Sequence, residues 1–282
     1  MAYKSLLTVA TRGDRCELAI TGAAAIATAH DAHLDILALG VDVTQIGYSY
    51  IGSGAVILQA TLDRTEQEAK EIEKAARKAL AEQDPTLRYA LEAAVTQLGA
   101  LTELVAQRAR FADLVVLPRP YGPGSGTESE AVVEAALFEG HAPVLILPDS
   151  GAGHAAAPRR VVIAWNQSAE AMAAVRKALP ILKQADLVSI TVIDPPQTGV
   201  ERSDPGGMLC QMLVRHGVKA EVTVLARTLP RVSDVLARHV RDSNADLLVM
   251  GAYGHSRFRE AILGGATRNM LEQAEIPVLM AR

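Results

Sequence analysis

A five-residue phrase recurs in this chain. Asp113-Leu114-Val115-Val116-Leu117 returns as Asp246-Leu247-Leu248-Val249-Met250, and Ala142-Pro143-Val144-Leu145-Ile146 returns as Ile276-Pro277-Val278-Leu279-Met280. Short apolar runs with no polar alternation suit strands that are covered on both faces, as in a parallel sheet wrapped by helices. Between them lie segments with helical periodicity, such as 16–29, 168–182 and 232–240, so strand and helix alternate along the whole chain. At 282 residues the chain exceeds one ordinary domain. The repeat therefore predicts an α/β protein of two tandem, doubly wound parallel-sheet domains of Rossmann-like type, at residues 1–148 and 159–282. Residues 149–158, rich in Gly and Ala and closed by Pro158, read as the linker between them.

Strands are expected at 6–10, 34–39, 88–95, 113–117 and 144–147, and again at 161–164, 187–193, 220–225, 247–250 and 278–281. The last strand of each half reads as an edge strand, and a tandem chain can satisfy both edges by pairing them with each other. A larger homo-oligomer stays open. Pro230 reads as the first residue of a helix.

In open parallel sheets ligands sit beyond the carboxyl ends of the strands, where strand order reverses. In the second half these places are Ala164-Trp165-Asn166, Ile193 and Met250-Gly251. Past Met250 the chain breaks into glycines, Gly251 and Gly254, then Gly264 and Gly265, followed by Ala266, Thr267 and a helical segment. Glycines beside a helix start let backbone N–H groups approach phosphate oxygens, with the helix dipole adding to the attraction. The bland alternative gives these glycines only to chain turns. Counting from the matching strand, the first half has Pro118 and Tyr121 where the second has Gly251 and Gly254, so it loses a donor and gains bulk. Its phosphate site is expected to be degenerate.

The spacing Gly-x2-Gly-x9-Gly, at Gly251, Gly254 and Gly264, resembles the nucleotide-binding signature of the universal stress protein family, and the ending 275–281 resembles that family's last strand. The resemblance is stronger for the C-terminal half. It implies an adenine nucleotide, ATP or else AMP or ADP, with or without Mg2+, held in the second domain by Ala164, Trp165, Asn166, Ile193, Met250, Gly251, Gly254, Gly264, Gly265, Ala266 and Thr267. Backbone groups of Ile193 would meet adenine. Two departures stand out: Gly265 sits where the family has Ser or Thr, with Thr267 two residues on, and Asn166 sits where the family has an acidic residue. Trp165 could pack on the nucleotide or simply fill core. The resemblance also supplies the stress-response context.

No catalytic constellation emerges, and binding or regulation is expected over catalysis. A slow nucleotide hydrolase and a nucleotide-free interaction scaffold are the alternatives. His255 and Ser256 lack an orienting third group, and the Gly-x4-Gly-Lys-Ser/Thr phosphate loop is absent. His30 and His33 flank a helix end, and His239 reads as a packed, satisfied histidine. Arg257, Arg259 and Arg268 could assist phosphate. A formal charge of −4 with no basic patch argues against nucleic acid. Cys16 and Cys210, without paired spacing, fit a reducing compartment. No apolar stretch has the length of a membrane span, so cytoplasm is the expected location. Tyr48, Tyr50 and Tyr121 hint at a less charged ligand in the first half.

Overall fold

The computed structural model describes residues 2–43, 54–122, 125–151, 153–195, 203–252 and 265–282. The first half runs β1 (Ser5–Ala10), α1 (Cys16–His30), β2 (His33–Asp42), α2 (Gly54–Ala81), β3 (Arg88–Gln97), α3 (Leu98–Ala109), β4 (Leu114–Pro118), α4 (Thr127–Glu134) and β5 (Val144–Leu147). The second runs β6 (Arg160–Ala164), α5 (Ala169–Leu182), β7 (Leu187–Ile193), α6 (Gly207–Arg215), β8 (Ala220–Leu225), α7 (Val232–Asp242), β9 (Leu247–Gly251), α8 (Ala266–Gln273) and β10 (Val278–Ala281). Pro230 does not open α7: it precedes Arg231, whose extended backbone (φ −109°, ψ 137°) caps the helix.

The ten strands among the described residues form one sheet, in the order β3-β2-β1-β4-β5-β10-β9-β6-β7-β8. Pairing inside each half is parallel. At the centre β5 and β10 run antiparallel, with Val278 opposite Ile146, Leu279 opposite Leu145 and Met280 opposite Val144. The two strands that would be edges of separate halves are thus interior, and the outer edges are β3 and β8. Each half has the doubly wound order, with its reversal between β1 and β4 or between β6 and β9.

The apolar runs behave as strands covered on both faces. Leu145 and Leu279 face the layer formed with α1, α2 and α5, whereas Val144, Ile146, Val278 and Met280 face the layer formed with α3, α4, α7 and α8. Both layers cross the β5–β10 seam without interruption. Each of these side chains is at most 1% exposed, and full burial of such a residue contributes about 1.5–3 kcal/mol. The connection between halves is anchored at points: Ala155 is fully buried in the first layer, and Asp149 is ion-paired to Arg15 at 2.8 Å and to Arg119. Between these anchors Ser150, Gly153 and His154 are exposed, as a linker's residues would be.

A second tie between halves runs through Tyr3, whose hydroxyl donates to the Lys177 carbonyl on α5 at 2.7 Å. The Tyr3 ring lies 4.9 Å from that of His30, which is 4% exposed with neither ring nitrogen hydrogen-bonded among the described residues. Burial, reinforced by Lys4, lowers the His30 pKa below its ordinary 6.5.

Two outcomes follow from these ties. Expressed as separate fragments divided near Ala155, the halves each expose a seam strand, so light scattering should show dimers or aggregates rather than monomers. Because His30 is neutral when folded and protonates more readily when unfolded, its contribution is intact above pH 6.5 and is lost as pH falls from there toward its lowered folded pKa. Urea unfolding of His30→Phe should therefore show a smaller stability loss between pH 7.5 and pH 5 than the parent.

Candidate functional site

The reversal between β6 and β9 places Ala164 beside Met250, and Ala164 beside Thr191 of β7. Ile193 ends β7, half-buried. Three of the expected site positions, Ala164, Ile193 and Met250, thus gather at the carboxyl end of the sheet on the face that carries α7 and α8. Trp165 points to the other face. It is 7% exposed within the core layer beneath α5, and its indole N–H has no hydrogen-bond partner among the described residues. Its described environment is core.

Asn166 is exposed, and its side-chain oxygen accepts from the Ser168 backbone N–H at 3.1 Å. Ser168 in turn caps α5, its hydroxyl accepting from the Ala171 N–H at 3.1 Å. This pair of turns, with Gln167 at φ 65°, steers the chain from β6 into the helix. Asparagine forms that turn as an aspartate would, but without the charge.

Gly251 closes β9 opposite Ala281. A Cβ built on it would lie 2.6 Å from the Ala171 nitrogen and 2.8 Å from the Glu170 carbonyl carbon. The first turn of α5 packs directly on this glycine, so its bareness serves helix–strand contact. Gly254 and Gly264 lie outside the described residues, as do His255, Ser256, Arg257, Arg259, Tyr48 and Tyr50. Gly265 is the N-cap of α8, with φ −54° and ψ 154°, and its carbonyl accepts from Asn269 N–H at 3.1 Å. Thr267, in the first turn, is 4% exposed. That turn has no acidic side chain.

The corresponding helix of the first half, α4, starts differently. Its first turn carries Glu128 and Glu130. The Glu128 carboxylate folds back over the N-cap Gly126, filling the space a Cβ would need. A carboxylate already stands where an anion would be drawn to the helix start. Nearby, a cleft of about 380 Å³ at the ends of β1 and β2 is lined by Arg12 and Arg64 but also by Asp14, Glu68, Glu71 and Glu128. Four carboxylates against two guanidiniums disfavour phosphate. A hydrogen bond from Arg12 keeps the Asp14 carboxyl below its usual range. Tyr121 is not open to a ligand: it is 8% exposed, its hydroxyl meets Glu130 at 2.9 Å, and the Arg268 guanidinium lies 4.9 Å from its ring centre. The acidic start of α4 is readable in Thr127-Glu128-Ser129-Glu130 once the helix is known to begin at Thr127.

His239 differs from its sequence reading. It is packed, with its pKa lowered by burial, but its Nε2 finds no hydrogen bond among the described residues. Those residues also hold no group of three or more His, Cys, Asp or Glu that could bind a metal ion, and no helix among them is long and apolar enough to cross a membrane.

The model of the universal stress protein family matches residues 158–282. Residues 158–282 belong to the universal stress protein family. A universal stress protein of Synechocystis sp. is 30% identical over 128 residues, which span 44% of this chain and 42% of that relative, less than half its length. Among solved structures, a universal stress protein from Archaeoglobus fulgidus superposes with a TM-score of 0.69 over 99% of this chain and 96% of its own, at 14% identity. A functionally unknown protein from Pseudomonas aeruginosa gives 0.54 over 99% and 92%, at 15% identity. These two likenesses show the fold across both halves, and the family's fold is thus present twice in tandem.

The packing at Gly251 makes a direct prediction. Gly251→Ala should force α5 away from β9 and destabilise the protein by about 1–3 kcal/mol in chemical denaturation, the cost typical of overpacking. An unchanged midpoint would show that the helix start does not rest on this glycine.

Proposed function

We propose that the second half binds ATP or a related adenine nucleotide, one per chain, and that the protein is a binding and regulatory module of the stress response rather than an enzyme. The domains on this reading are 1–148 and 159–282, in the cytoplasm. The observation that carries the proposal is the contrast between two corresponding helix starts. At α8 the N-cap is Gly265, the first turn is free of acidic side chains, and Arg268 adds a positive charge. At α4 the Glu128 carboxylate occupies the helix start, with Glu130 beside it. Phosphate is attracted to the first kind of terminus and repelled from the second, each effect amounting to about 0.3–1 kcal/mol per charge at exposed sites.

The residues proposed to hold the nucleotide are Ala164, Asn166, Ile193 and Met250 at the strand ends, Gly251, Gly254, Gly264 and Gly265 along the backbone cradle, and Ala266 and Thr267 in the first turn of α8. Trp165 would support this set from the core rather than stack on the ligand. Family membership of the second half supports the adenine preference. The nucleotide supplies the phosphates and the base; this chain supplies N–H donors, a helix start and a dry strand-end floor.

Calorimetric titration with ATP should saturate near one equivalent per chain. Gly264→Asp, which puts a carboxylate into the proposed cradle, should abolish binding with the fold intact. Saturation at two equivalents, or binding that survives this substitution, would contradict the assignment.

A further inference from the structure

The helix that would meet the phosphates is short. At eight residues α8 is too short to be stable alone, so its position depends on what grips it. From its own half it has Met270, Leu271 and Ala274 in the core layer. Further grips come from the other half. In its first turn, Arg268 lies over the Tyr121 ring with 4.9 Å to the centroid, and Tyr121 is fixed from below by its hydroxyl on Glu130. In its last turn, the Glu272 carbonyl accepts from Arg119 Nη1 at 3.1 Å. Arg119 is itself anchored by Asp149, which also binds Arg15 at 2.8 Å, and Arg15 donates to the Arg119 carbonyl at 2.6 Å. Arg268 is braced along the helix by Glu272 at 2.9 Å.

We propose that Arg119 and Tyr121 of the first half are positioning residues for the nucleotide site of the second, holding α8 at its last and first turns so that its N-terminal N–H groups stay aimed at the phosphates. The inference rests on the reading of that site given above. The segment that in the second half carries Gly251 and Gly254 carries Pro118 and Tyr121 in the first. What it lost as a phosphate cradle it gained as a clamp. A guanidinium over an aromatic face and a charged donor on a helix carbonyl each act at the 1 kcal/mol level, which is roughly fivefold in affinity.

The test is ATP affinity in the full chain, with amide hydrogen exchange as a second readout. Tyr121→Ala and Arg119→Gln should each weaken ATP binding roughly fivefold and speed exchange across 266–273, with β1 and β6 protected as in the parent. Tyr121→Phe, which keeps the ring under Arg268, should stay within about twofold of the parent, a rescue that general loosening of the fold would not give. Arg119 is 18% exposed and keeps the test available if Tyr121→Ala does not fold. A parent that binds ATP while the folded variants keep its affinity overturns the clamp. A parent that does not bind overturns the nucleotide reading instead.

Discussion

The antiparallel contact of β5 with β10 is the constraint on which the rest of the molecule depends. Two four-residue strands, each the would-be edge of its own half, satisfy one another's backbone groups and let both core layers run through the centre of the sheet. Because the strands at the seam oppose each other, the carboxyl ends of the two halves point in opposite directions. Their two strand-order reversals therefore sit at opposite ends of the sheet, and an element near one reversal can touch the flank of the other half. Arg119 and Tyr121, just beyond β4, do this: they sit at the first half's strand ends and meet α8 of the second.

The two halves share a fold but treat negative charge differently. In the first half anions are built in. Glu128 covers the start of α4, and the Asp149 carboxylate lies between Arg15 and Arg119. The cleft beside β1 and β2 is lined by more carboxylates than guanidiniums. The second half has no acidic side chain in the first turn of α8, and its N-cap is a glycine. On the proposed reading, a few differing loop residues separate one binding site from one support. Fold alone would not reveal this difference, since it resides in side chains at strand ends.

Much of the fold was legible because buried parallel strands have an unmistakable composition. Val144–Leu147, Leu187–Ile193 and Val278–Ala281 begin and end where the apolar pattern does. The seam could be anticipated from two short terminal strands that needed partners. Helix starts were harder, because α3, α4 and α7 lack a side-chain cap to mark them; α3 begins directly after Gln97, and α7 starts beyond Pro230. At the site, the sequence located the strand ends but could not orient side chains. Trp165 turns into the core, and Gly251 is bare because the backbone of Glu170 and Ala171 comes within 2.8 Å of where its Cβ would be. The Arg15, Arg119 and Asp149 cluster joins residues more than a hundred positions apart and leaves no local signature.

Amide shifts followed by NMR during titration with ADP would test the central claim, that the two halves divide the work between binding and support. Saturable shifts are expected at 266–268 and at the end of β6, with the amides of 127–129 at the start of α4 unmoved. Shifts of comparable size at both helix starts, or at α4 alone, would contradict it.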